Sequence, residues 1–322
     1  VTLFDEPKPS DGIGDLFTPA GLLRLQQLPG VGPKRAIELA QRFREWAQLA
    51  EASDSDWTDA IGSVGTKARS GIDLVREADP LPDGTRAIGY FDNDWPDWLS
   101  NIPSAPAVVF VRGSLPDGGA LAVVGTRTPT RFGRLVVEKV VERAAAHGVG
   151  IVSGLALGID VAAHEAALRV GASTWAILGG GVDIPTPRQH ADLANRILES
   201  GGGLISEQLP GTEPNAQRLV SRNRLQSAAA QAVVIAQCGI PSGTLHTARF
   251  ALEQQRLLVV PRPRPPWDTE PESAGNIALT DPAGCNPGVL HGSGSLARLV
   301  SARRPVADLV LHEASEIEQL WG

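Results

Sequence analysis

The sequence predicts an α/β protein: a doubly wound, mostly parallel sheet preceded by a small all-α domain. Three observations carry this. From about residue 87 onward, short apolar, β-branched runs alternate with segments of helical period. Those runs are continuously apolar, as strands buried on both faces are. Before residue 80 the apolar positions follow helical spacing alone.

Residues 1 to 15 are polar, contain two Pro and two Gly, and are expected to form a flexible tail. From Pro19 the apolar positions Leu22, Leu25 and Leu28 mark a first helix. In "LPGVGPKRAIELAQRF", Ala36, Ile37, Leu39, Ala40 and Phe43 form the stripe of a second. A weaker echo follows 33 residues on, where Ile61, Val64, Gly65 and Lys67 repeat the places of Leu28, Val31, Gly32 and Lys34. A helical domain is therefore expected over 16–80, ending near the Pro-rich "DPLPDG".

A core domain is expected over 81–290. Its predicted strands are 107–113, 120–125, 148–154, 173–180, 202–207, 229–237 and 256–261, and its predicted helices 132–147, 159–171, 188–200, 221–229 and 243–255. The Pro-rich "PRPRPPWDTEPE" reads as a covering loop, and residues 291–322, with "SLARLV" and "VADLVLHEASEIEQLW", as a C-terminal helical extension.

With 322 residues, 42% hydrophobic and 20% charged, the chain is long enough for two domains, and no apolar run reaches the length of a membrane span. The start "VTLFDEPKPSDG" lacks the pattern of a secretory signal. Cys238 and Cys285 match no zinc spacing or disulfide framework, so a reducing cytoplasmic compartment, no metal and no membrane are expected. A net charge of -7 argues against a protein coated with basic residues, and makes the placement of the arginines more informative than their number.

Ligands of open parallel sheets bind beyond the carboxyl ends of the strands, and there this chain places its unusual residues. "GTRTPTRFG" carries Gly125, Arg127, Arg131 and Gly133; "SGLALGIDVAAH" carries Ser153, Gly154, Gly158, Asp160 and His164; "GGGVDIP" carries Gly180; "CGIPSGTLHTA" carries Ser242, Gly243, Thr244 and Thr247. Glycines at such turns let backbone N–H groups approach an anion, and a following helix N-terminus adds positive partial charge. None of these loops has G-x-G-x-x-G spacing and no Walker A sequence occurs, so no nucleotide cofactor is expected.

Arginines cluster at the same loops: Arg127, Arg131 and Arg134 at the first, and Arg218, Arg222 and Arg224 in "QRLVSRNR", expected to enter a helix with Ser or Asn as a cap. Any one exposed arginine is often simply solvated; their coincidence with glycine loops points to phosphate. Asp160 and His164 lie four apart on one helix face, as an acid–base pair or, the reading favoured, an Asp at the helix start with a packed His. No nucleophile elbow, metal triad or paired-carboxylate signature is present, so no catalytic residue is assigned. In the "LPGVGPKRA" turn, Gly30, Gly32, Lys34 and Arg35 offer N–H groups and charge to a DNA backbone or to a protein contact.

Taken in order, "LQQLPGVGPKRAIELA", "YFDNDWPDWLSNIPSAPAVVFVRGSL", "VVGTRTPTRFG", "SGLALGIDVAAHEAAL", "AILGGGVDIPTP", "GLISEQLPGTEP" and "SRNRLQSAAAQAVVIAQCGIPSGTLHTARFALEQQRLLVVP" resemble the DprA/Smf family of DNA-processing proteins over nearly the whole chain. The resemblance implies a helix-hairpin-helix region followed by an extended Rossmann-like core. It implies a homodimer that binds single-stranded DNA without chemistry and assists a RecA-type recombinase in natural transformation. Carried over by position, Gly125, Arg127 and Gly133 line one anion loop, Ser153, Gly154, Gly158, Asp160 and His164 a second, Arg222, Asn223 and Arg224 contact the strand, and Ser242, Gly243, Thr244 and Thr247 form the last loop.

The chain departs from the family pattern at five places. Leu157 and Glu165 stand where the family usually has Arg, Gln237 where it has Glu, Ala230 where it has Ser, and Arg262 where it has Gly. Two positive charges are thereby lost near one loop, with Arg262 and Arg264 as candidate replacements. Two other readings fit the same architecture: a nucleotide sensor or phosphoribohydrolase acting through Glu253 or Asp160, and a DNA-sensing defence protein.

Overall fold

The computed structural model describes residues 14–76, 80–100, 102–117, 119–281 and 306–321. The expected tail, the helix at "SLARLV" and Cys285 fall wholly or mostly outside the described residues. By density of contacts the chain divides into Val1–Val111 and Arg112–Gly322.

The first unit contains α1 (Pro19–Gln26), α2 (Pro33–Phe43), α3 (Trp46–Glu51), α4 (Asp54–Ile61), α5 (Gly65–Arg69), β1 (Thr85–Gly89) and α6 (Asp97–Ser100). β2 (Val108–Gly113) runs through the division. Helix α1 starts where Thr18 accepts the Gly21 N–H and Pro19 occupies a position needing no N–H donor. Helix α4 starts on a reciprocal Ser53–Asp56 capping box. The stripe predicted for α2 is buried at Ala36, Leu39, Ala40 and Phe43. Gly30 (φ +80°) turns the chain between α1 and α2, and a Cβ added there would lie 3.6 Å from Val64 Cβ. The two glycine turns that echo one another in sequence thus face one another. Strand β1 carries no strong period and was not foreseen.

The second unit continues with β3 (Ala120–Gly125), α7 (Arg131–Ala146), β4 (Ile151–Ser153), α8 (Ile159–Arg169), β5 (Thr174–Ile177), α9 (Ala191–Glu199), β6 (Gly203–Ser206), α10 (Ala216–Ala228), β7 (Ala230–Gln237), α11 (Thr244–Glu253), β8 (Leu257–Pro261), α12 (Ala274–Thr280) and β9 (Leu309–Leu311). Its strands lie in the order β6-β5-β4-β3-β7-β8-β9, all paired in parallel. This is an extended Rossmann-like, doubly wound sheet whose order reverses between β3 and β7. The pleat sorts the core: Leu121 and Val123 pack with α7 and α8, while Ala122 and Val124 pack with α11 and α12.

Three expectations are corrected. Helix α10 begins at Ala216, not residue 221, because Asn215 accepts the Arg218 N–H as its cap; "SRNR" is therefore helix interior. Residues 309–311 form an edge strand, not a helix, held by the Asp308 carboxylate accepting the Leu258 N–H while the Asp308 N–H donates to the Leu258 carbonyl. The Pro-rich segment leads into an unforeseen helix, α12. Its Asn276 accepts the Cys238 N–H and donates to the carbonyls of Ile235 and Pro261, tying the segment to the ends of β7 and β8.

Candidate nucleic-acid interface

At the switch point, beyond the carboxyl ends of β3 and β7, lies a groove of about 710 Å³. It brings together Gly125, Arg127, Asp160, Arg222, Asn223, Ser242, Gly243, Thr244 and Thr247 from sequence-distant loops. Arg127 also borders a second cleft of about 510 Å³ containing Gly158, and a recess of about 150 Å³ containing Gly154 and Gly180. It is exposed, and no ion pair to it is present among the described residues. Helices α8 and α11 point their starts at these openings. Their cap positions are Gly158 and Gly243, neither supplying a capping side chain, but the first turns are largely satisfied from within. The Ile159 and Val161 N–H groups donate to the Thr126 and Ala156 carbonyls, and those of Thr244, Leu245 and His246 to Ser242 Oγ and the Ser242 and Gly243 carbonyls. What these starts offer an anion is chiefly the positive end of the helix dipole. Gly158 (φ +83°) is required where it stands, because a Cβ would lie 2.4 Å from the Thr126 carbonyl oxygen.

The groove floor is a buried polar cluster. Arg222 is 4% exposed; its Nη1 donates to the Ile177 carbonyl at 2.9 Å, and its Nη2 lies 3.9 Å from Asp160 Oδ2. The Gln226 amide, oriented as hydrogen bonding demands, accepts from Arg222 Nη1 at 2.7 Å and from the Gly154 N–H at 2.9 Å, and donates to Asn223 Oδ1. Burial pushes the Asp160 carboxyl up, and the Arg222 guanidinium pulls it partly back. Burial likewise lowers Arg222, with the nearby Arg127 charge adding to that direction. Asp160 therefore serves as the inward counter-ion of Arg222, and Arg127 faces the opening.

The remaining residues singled out from sequence lie elsewhere. His164 is fully buried behind the groove. Ser153 is buried and donates to the Val123 carbonyl. Arg224, 7% exposed, makes a bidentate pair with Glu207 at 2.7 and 2.6 Å and does not line the groove. Arg131 is exposed at the start of α7, outside both openings. Gly133 makes room for Gln237, whose Oε1 a Cβ there would approach to 2.4 Å. In the first unit Lys34 is well exposed beside Glu38 at 3.8 Å, and Arg35 Nη1 donates to the Gly30 carbonyl.

Sequence reasoning missed Asn215, Leu219 and Gln226 in the groove, because their roles depend on where α10 begins and which of its faces meets the floor. Glu253, the acid considered for glycosidic chemistry, lies at the end of α11 beside Arg249 and outside the groove. Among the described residues no cluster of His, Cys, Asp and Glu is arranged to hold a metal, and no helix is long and apolar enough to cross a membrane.

Residues 86–285 match the family described as DNA recombination-mediator protein A. The chain is similar to Protein Smf of Escherichia coli (strain K12), with 41% identity over 164 residues, which are 50% of this chain and 44% of that protein. It spans about half the length of the curated relatives it matches first. The structure of DNA processing protein A from Streptococcus pneumoniae is similar, with a TM-score of 0.68, 20% identity, and coverage of 94% of this chain and 97% of that one. A structure from Helicobacter pylori, described as giving the single-stranded DNA binding mode of DNA processing protein A, is similar with a TM-score of 0.53 and 22% identity, covering 68% of this chain and 96% of that one. The two solved structures share the fold assembled above. By the family match over well more than half its length, this chain belongs to the DNA recombination-mediator protein A family.

Proposed function

We propose that this protein binds single-stranded DNA through its phosphates along the switch-point groove and carries out no covalent step on it. In this reading it acts in DNA processing, protecting incoming strands and assisting a RecA-type recombinase in transformation or recombination, as a cytoplasmic homodimer. The observation that carries the proposal is Arg127, an exposed guanidinium that lines two adjoining openings, each faced by the positive end of a helix dipole. One phosphate would fill one opening; a chain of phosphates suits two that share a cation. The Helicobacter pylori relative's described binding of single-stranded DNA supports the same reading. Against glycosidic chemistry, Asp160 is committed to Arg222 and Glu253 stands outside the groove.

Anisotropy titration of a labelled oligo(dT) at stepped salt tests the proposal. Arg127→Ala is expected to weaken binding about tenfold or more, the worth of a charge-assisted hydrogen bond. It should also reduce the slope of log K against log salt by about 0.7, one single-strand phosphate contact. Absence of binding by the native protein at about 50 mM salt refutes the proposal. Base release from nucleoside monophosphates would replace it with the hydrolase reading.

A further inference from the structure

The second cleft differs chemically from the groove. Its lining combines Arg127 and Arg134 with the apolar Leu157, Val161 and Ala162 and the exposed carboxylate of Glu165. Val161 and Glu165 lie four apart in α8 and share one face of it, and Leu157, in the loop before the helix, lines the same cleft. No ion pair to Glu165, Arg127 or Arg134 is present among the described residues. Leu157 is 42% exposed, an apolar side chain held open on a surface otherwise suited to phosphate. A site built only for a polyanion has no use for a carboxylate or an exposed leucine; a site that takes a base beside its phosphate uses both.

We propose that this cleft receives one unstacked base of the bound strand and that Glu165 makes it prefer guanine. The inference rests on the strand-binding reading above and names the base-selecting residue of the same site. A carboxylate offers two parallel acceptors and no donor. On its Watson–Crick edge guanine alone carries two adjacent donors, N1–H and the N2 amino group. Adenine and cytosine each offer one amino group beside an acceptor, and thymine offers one N3–H between two carbonyls; all three set an acceptor against the carboxylate. Leu157, Val161 and Ala162 pack against the base face, while Arg127 and Arg134 hold the flanking phosphates. The volume, about 510 Å³, is that of a small-ligand site.

The test uses the full chain and labelled strands identical except for one central nucleotide, a single dG, deoxyinosine, dA or dC in oligo(dT), so that no guanine quadruplex can form. Deoxyinosine keeps N1–H and lacks the N2 amino group. The dG strand is expected to bind about tenfold tighter than the other three. Glu165→Gln is expected to bring the dG-to-deoxyinosine ratio below about twofold, the ratio cancelling the general effect of a lost negative charge. Glu165 is exposed, and circular dichroism checks that the variant is folded. Binding of all strands with equal affinity by the native protein overturns the base inference and leaves strand binding standing. A guanine preference that survives in Glu165→Gln overturns the role of Glu165. Binding of no strand removes the parent reading and this one together. Guanosine monophosphate displacing the strand at concentrations where adenosine monophosphate does not would place the same chemistry in a free nucleotide, and overturn the strand-borne base.

Discussion

Lowering pH from 7 to 5 should cost this protein stability at the fully buried His164. The imidazole is fully buried on α8, its Nδ1 lying 2.7 Å from Thr174 Oγ1. The Thr174 hydroxyl is itself 2.9 Å from the Ile151 carbonyl and donates its proton there. Nδ1 must therefore carry the ring hydrogen and donate to Thr174, which leaves Nε2 with a buried lone pair and no partner among the described residues. A second proton on Nε2 would place a charge in this enclosure near Arg222 and His190. Burial first, then those two neighbours, push the His164 pKa down from 6.5 to about 3. The folded state thus refuses a proton that the unfolded chain accepts. The stabilisation is full above about pH 6.5 and is lost as pH falls from there toward 3. Between pH 7 and pH 5 the loss works out to about 2 kcal/mol, at about 1.36 kcal/mol per unit of pKa difference expressed. His164→Asn keeps a donor toward Thr174 and removes the titration. In urea unfolding at both pH values, the native chain should lose about 2 kcal/mol more than the variant, any cavity cost cancelling in the double difference. Equal losses would refute the assigned tautomer and its buried lone pair.

Two further perturbations address the polar floor. Gly154→Ala would place a Cβ 1.4 Å from Arg222 Nη1, driving the guanidinium from its buried partners; urea unfolding should show a loss of about 3 kcal/mol, part of it recovered by adding Arg222→Ala. Glu207→Ala removes the bidentate carboxylate of Arg224; a loss of about 3 kcal/mol is expected, smaller when Arg224→Met is combined with it, as a double-mutant cycle measures.

The core of the fold was legible because its signals are local. Continuous runs such as "ALAVVG" and "AVVIAQ" can bury both faces only in a parallel sheet, and the helices between them carry their own period. Strand β9 was read as a helix because three residues at an edge hold too little pattern, and its identity comes from the Asp308–Leu258 pairing, 50 residues apart. The site was legible in outline for a different reason: glycine loops at strand ends must meet at the switch point whatever their sequence separation. The depth of each arginine was not legible. Arg222 and Arg224 are two apart in "SRNR", so α10 turns them to different neighbours, one to the Asp160 cluster and one to Glu207. Spacing suggests that two donors share one phosphate; a helix interior separates them.

The five departures from the family pattern divide along the same physical line. Gln237 is held inside: its Oε1 accepts the Thr130 N–H at 2.9 Å while its Nε2 donates to Thr130 Oγ1 and Ser273 Oγ, and Glu270 Oε2 lies 3.4 Å away. A glutamate there would lose the donor and face another carboxylate. Arg262 donates to Asp281 at 2.9 Å and does not line the groove, so it does not restore the missing charge. Ala230 is fully buried at the start of β7. Gln237 and Ala230 answer to the interior of the protein, and Arg262 to its half-exposed partner Asp281. Leu157 and Glu165 are exposed and border the cleft beside Arg127, where neither burial nor an internal partner accounts for them. Residues that the fold does not use and that a ligand must touch are where a change of binding preference would be written. If the chain binds single-stranded DNA as proposed, the two positions lacking the family's positive charge mark a cleft altered in what it selects, with Arg127 left to hold the strand.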